Sequence, residues 1–148
     1  ITVSERVFGA EAPSPCRYFC GRDTELDELN TALQEHSKVF ISGFAGIGKS
    51  EFAKAYAKKF KKEYRNILYF NYHVSLKEMI TDMDFAGDNL SDDEHTRFTK
   101  HIRLLKNLRS DSLIIIDNFN TANDNFLNTL INYGCKMIFT TRIPKIFS

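Results

Sequence analysis

The sequence predicts an α/β domain of three layers, a parallel sheet with helices packed on both of its faces. Two observations carry that prediction. Short apolar runs alternate with helical stripes along most of the chain, which is the pattern of strands joined by crossover helices. One of those runs, SLIIID at 112–117, is apolar without alternation, as a strand covered on both faces has to be.

The elements follow in order. Residues 1–20 hold Pro13 and Pro15 and no sustained period, and read as an irregular arm; residues 21–148 read as the domain. In GRDTELDELNTAL, Asp23 is placed to cap a helix whose inner stripe is Leu26, Leu29 and Leu33. KVFIS, about 38–42, is the first strand. A glycine-rich loop follows, then a helix to about residue 62 with Phe52, Ala53, Tyr56, Ala57 and Phe60 on one side. NILYFNY, 66–72, is the second strand. Ser75 with Glu78, and Ser91 with Glu94, have capping-box spacing and open two more helices, the second carrying Phe98, Ile102 and Leu105. The strand at 112–117 leads to a helix with Phe126, Leu127, Leu130 and Ile131 inward and Gly134 near its C′ position. KMIFTT, 136–141, is the last strand. Residue 1 is Ile, and the final residues follow directly on that strand. The expectation is a segment of a longer protein, ending before the last strand of its sheet.

The loop GFAGIGKS, 43–50, carries the chemistry. Gly43, Gly46 and Gly48 lack Cβ, so the loop can turn tightly and aim successive N–H groups at one anion. The helix that opens near Lys49 adds unpaired N–H groups and the positive end of its dipole. Together these suit a chain of phosphates. Lys49 reaches the terminal phosphates as a point charge, and Ser50 offers a hydroxyl to Mg²⁺, which prefers oxygen ligands. The spacing is that of the P-loop, G-x-x-x-x-G-K-[ST], set between a strand and a helix as that motif requires. The expected nucleotide contacts are Gly43, Ala45, Gly46, Ile47, Gly48, Lys49, Ser50 and Glu51.

Three further residues fit such a site. Asp117 ends the triple-isoleucine strand, and in open α/β sheets ligands bind at the carboxyl ends of strands. It is expected to hold Mg²⁺ with Ser50; the plainer role is to cap the next turn. Arg142 leaves the same edge of the sheet, either to read a γ-phosphate or as a surface arginine. Arg22 has the same two readings, contact with base or phosphate against a solvated helix start. Asn118 stands where many P-loop ATPases carry an acid. An amide orients water but takes no proton, so slow hydrolysis is expected.

Composition narrows the partners. A net charge of +1 gives no case for a nucleic-acid-binding face, and no apolar run is long enough to span a membrane. Cys16, Cys20 and Cys135 form no paired framework, which fits a reducing, cytoplasmic setting with free thiols and no metal site of their own.

FCGRDTELDEL, then VFISGFAGIGKS, LIIIDNFN and MIFTTR, come in an order that resembles the nucleotide-binding domain of STAND ATPases. That group includes NB-ARC proteins of apoptosomes and plant disease resistance, and many bacterial regulators. The likeness covers roughly residues 18–142, and the GRD-x-EL lead-in and TTR ending select it. It implies an ATP/ADP switch with Mg²⁺, self-association in the full-length protein, and at most a slow ATPase. On this likeness Lys49, Asp117 and Arg142 would be the catalytic set, with Arg142 as sensor arginine, and Phe19 to Arg22 would lie near adenine. Asn118 departs from the acidic pair of many members. The alternative is a AAA-type or initiator-like ATPase acting on protein or DNA, which would want an acid at 118. A small-molecule kinase is disfavoured because segment 81–97, where a phosphate-clamping lid would lie, holds one arginine among many acids. A degenerate scaffold is disfavoured by the intact Lys49, Ser50 and Asp117.

Overall fold

The computed structural model describes residues 3–7, 22–42 and 48–143, with the backbone alone at 3–7, 22 and 23. Gly43, Ala45, Gly46, Ile47, Phe19, Cys16, Cys20 and the side chain of Arg22 therefore lie outside the described residues. The strands are β1 (Val3–Val7), β2 (Lys38–Ser42), β3 (Asn66–Asn71), β4 (Ser112–Asp117) and β5 (Lys136–Thr141). All pairings are parallel, in the order β1-β2-β5-β4-β3. The helices are α1 (Arg22–His36), α2 (Lys49–Lys59), α3 (Leu76–Asp82), α4 (Glu94–Lys106) and the short α5 (Leu127–Leu130).

The period of two along each central strand sorts side chains into two cores. Phe40, Ile114, Ile116, Met137 and Phe139 face α3, α4 and α5. Val39, Ile41, Leu113, Ile115 and Ile138 face α1 and α2, meeting Leu26, Leu29, Leu33, Phe52 and Tyr56. This is the three-layer parallel α/β architecture that the strand-helix alternation predicts.

Several local expectations give way. The stretch read as an irregular arm contains β1, which pairs with β2 from Val3↔Lys38 to Val7↔Ser42. Its five residues include Ser4, Glu5 and Arg6, so backbone pairing defines it where hydrophobic pattern does not. Helix α1 starts at Arg22, which puts Asp23 in its first turn instead of at the cap. Helix α2 stops at Lys59, and a 3-10 turn spans Lys61–Glu63. Ser75 caps α3 as expected, accepting from the Glu78 N–H at 3.1 Å. Ser91 does not cap α4. Asp93 does, accepting from the Thr96 N–H at 2.8 Å, because an ionised carboxylate next to the helix start is the stronger acceptor for an N-terminal amide. Gly134 is not a left-handed helix end, since α5 finishes at Leu130. A Cβ at Gly134 would stand 3.2 Å from the Leu108 carbonyl oxygen, so close backbone approach explains the glycine.

Candidate functional site

Chain order and spatial order diverge beside β2. The chain leaves β2 for the far strand β3, returns through β4, and sets β5 directly against β2. Such a switch opens a crevice at the carboxyl ends of the strands. A cavity of about 370 Å³ lies there, lined by Gly48, Lys49, Ser50, Glu51, Asn118, Asn120, Thr140, Thr141 and Arg142.

Gly48 has φ 78° and ψ 24°, a left-handed conformation that costs glycine little and other residues more. It is the N-cap of α2, and its carbonyl accepts from the Phe52 N–H at 2.8 Å. The two residues that follow therefore enter the first turn of a helix aimed at the crevice. Burial lowers the pKa of the Lys49 ammonium, and the charge of Arg142 lowers it further, against a raising effect from Asp117. Two cations close enough to disfavour one another mark a place where an anion is stabilised. The Arg142 side chain is exposed, and the backbone N–H of Arg142 donates to Asn120 Oδ1 at 2.7 Å.

Asp117 lies beneath the cavity, 3% exposed. Its Oδ1 accepts from the Ser50 hydroxyl at 2.7 Å, from the Thr140 hydroxyl, and from the Asn118 N–H at 3.1 Å. Its Oδ2 accepts from the Tyr69 hydroxyl. Burial pushes this carboxyl up, but the hydroxyls of Thr140, Tyr69 and Ser50 and the Asn118 N–H outweigh it and hold it below the usual carboxylate range. Asp117 is thus a buried anion kept ionised by donors from β3, α2 and β5. A hydroxyl and a carboxylate that already touch form an all-oxygen pair, the donor chemistry that suits Mg²⁺.

Asn118 sits at φ 60°, a region that asparagine tolerates better than most residues. Its N–H also donates to Thr140 Oγ1 at 2.9 Å, and its side-chain amide donates to Asn71 Oδ1 at 2.7 Å. Among the described residues lining the cavity the one acid is Glu51, whose carboxylate lies 3.8 Å from Lys54.

The structure thus brings together Gly48, Lys49, Ser50, Glu51, Asp117 and Arg142, all expected from the sequence. It adds Tyr69, Asn71, Asn120 and Thr140. Tyr69 has a signal in hindsight. It lies two residues before the end of β3, opposite Ile115 and diagonal to Asp117, and a long aromatic side chain spans such a diagonal. Seeing this requires knowing that β3 and β4 are neighbours in this register.

Residues 38–134, from β2 to the turn before β5, match the sequence model of the AAA domain (dynein-related subfamily). No curated protein matches the chain. The match takes in more than half of the chain, including the crevice's β2, α2 and β4, so sequence and strand order agree that the chain belongs to the AAA domain (dynein-related subfamily) family of P-loop ATPases.

Proposed function

We propose that this domain binds a Mg²⁺-nucleoside diphosphate or triphosphate at the crevice and serves as a slow, regulatory switch. One observation supports this above the others. The phosphate-loop end Gly48-Lys49-Ser50 is joined directly to the buried Asp117, while Asn118, the next residue, carries an amide in contact with Asn71. The first feature fits holding a nucleotide. The second withholds a general base from an attacking water.

In this reading Lys49 neutralises the terminal phosphates. Ser50 and Asp117 would hold Mg²⁺, which when bound would offset the charge of the phosphates. The Ser50 hydroxyl keeps its proton and donates it to Asp117 Oδ1, which leaves the Ser50 oxygen lone pairs free for the metal. Arg142, on the open side of the cavity, reads the γ-phosphate, and the motif carried by residues 43–47 is the part of the sequence expected to add backbone N–H groups. The switch assignment draws on the likeness to STAND proteins. The residues that select it, Gly21 to Leu26 and Thr140 to Arg142, lie outside the matched span. A second reading, a AAA-type ATPase that remodels protein or DNA, is favoured by the family match itself and disfavoured by Asn118.

Calorimetric titration with ADP and with the triphosphate tests the proposal. Lys49→Ala removes a charge-assisted contact made to both ligands, a loss of about 1.5–3 kcal/mol or roughly ten- to a hundredfold in affinity. Arg142→Ala should weaken the triphosphate and leave ADP nearly unchanged. Equal affinities for wild type and Lys49→Ala refute the phosphate-loop role. A basal turnover near the roughly 10 s⁻¹ median of enzymes favours the remodelling reading over the switch.

A further inference from the structure

Asp117 is short of acceptor capacity. An ionised carboxylate offers about four lone-pair sites, two on each oxygen. Oδ1 already meets three donors, from Ser50, Thr140 and Asn118. Oδ2 meets one, the Tyr69 hydroxyl. Whatever Asp117 offers a cation or a cation-bound water must therefore come through Oδ2, the atom that Tyr69 holds.

The two sets of donors differ in how firmly they are held. Thr140 is buried, and Asn118 donates from the backbone. Tyr69 is 40% exposed at its strand, and its ring carries the Lys54 ammonium 5.3 Å from the centroid. That ring stays put if the hydroxyl is deleted, and solvent is at hand. A hydrogen bond to a carboxylate also draws charge from the oxygen that accepts it, which weakens that oxygen toward any second partner. The ring hydroxyl acts as the donor in this contact, with Asp117 Oδ2 as its acceptor.

We propose that Tyr69 is a positioning residue that sets how tightly the site takes Mg²⁺, by occupying Oδ2 of Asp117 and tempering its strength as an acceptor. The proposal rests on the Mg²⁺-nucleotide reading above. In the resting site Tyr69 keeps the carboxylate satisfied. When the metal enters, the hydroxyl shares Oδ2 with it. The site consequently demands more free Mg²⁺ than an unshared Asp117 would, which makes nucleotide retention respond to the metal concentration.

The test measures ADP affinity by calorimetry over a series of free Mg²⁺ concentrations and in EDTA, for wild type and Tyr69→Phe. ADP avoids any contribution from turnover. Phe keeps the ring under Lys54 and removes only the hydroxyl; circular dichroism and a thermal melt check that the fold is retained. The expected result is that the half-saturating Mg²⁺ falls by roughly three- to tenfold, less than the full value of a charged hydrogen bond because water replaces part of it. Affinity in EDTA should be unchanged. An unchanged or higher half-saturating Mg²⁺ overturns the proposal, as does a variant that no longer folds, because the hydroxyl would then be a structural requirement. Wild type that binds ADP with clear Mg²⁺ dependence alongside an indistinguishable variant sinks the Tyr69 role alone. Wild type that binds no nucleotide at all sinks the underlying reading and this proposal with it.

Discussion

Asn118 is the residue on which the proposal of slow turnover rests. Its amide is tied to Asn71 and its backbone N–H is shared between Asp117 and Thr140, so its side chain has a defined direction at the cavity edge. Aspartate is similar in size and also tolerates φ near 60°. Asn118→Asp should place a carboxylate where the amide now stands, and the Asn71 amide can turn to donate to it. General-base assistance is typically worth about 10²–10⁴-fold, so single-turnover hydrolysis, followed by quenched-flow with radiolabelled nucleotide, should rise within that range. Nucleotide affinity should change little, because the phosphate contacts proposed for Lys49 and Ser50 are untouched. A variant as slow as wild type would show that something other than the missing carboxylate limits the reaction.

The segment from α3 to α4 behaves as one electrostatic element. His101, fully buried on α4, places Nδ1 2.6 Å from the Ile80 carbonyl oxygen and Nε2 2.9 Å from both oxygens of Asp88. Both ring nitrogens therefore sit against oxygen atoms of neighbouring segments. Arg97 adds donors to the Thr81 and Met83 carbonyls and lies 3.5 Å from Asp88. The loop 83–93 is thereby pinned to α4 by polar contacts. The backbone N–H of Phe85 and then His101 hold the Asp88 carboxyl below its ordinary value of 3.8. A carboxyl lowered by folding stabilises the folded state above its unfolded pKa, and that contribution is lost as pH falls through the folded value. Stability should therefore drop as pH passes below the ordinary carboxylate range. Urea titrations of wild type and Asp88→Asn at pH 7 and pH 3 measure this: the variant should be less stable at pH 7 and lose less between the two.

At the scale of the whole molecule, the site joins elements that are distant in sequence, so a ligand there should stabilise the entire domain. Ser50 and Asp117 are 67 residues apart, and Tyr69 and Asp117 are 48 apart. A ligand that binds only the folded state at a hundred times its Kd adds about 2.7 kcal/mol. Mg²⁺-ADP at that level should raise the thermal midpoint of wild type, and the same concentration should do far less for Lys49→Ala. Differential scanning fluorimetry of both proteins provides the comparison, and an equal rise in the two would refute binding through the phosphate loop.

The sequence by itself determined the strands β2 to β5, the phosphate-loop motif and the placing of Asp117 at a strand end. Those features are local. A strand covered on both faces must be apolar along its length, and a loop that curls around phosphate needs glycines at set intervals. Only the tertiary structure decided that β1 joins the sheet, that Asp93 and not Ser91 opens α4, that His101 is a core residue, and that Tyr69 reaches Asp117. These depend on which segments become neighbours and in what register. A polar five-residue run has no hydrophobic period to announce a strand, and a histidine amid an amphipathic helix looks the same whether or not a carboxylate meets it. The Tyr69–Asp117 contact exists because β3 pairs with β4 with Asn71 opposite Asp117. A shift of one residue would turn Tyr69 to the other face of the sheet, and no local pattern in either strand records that choice.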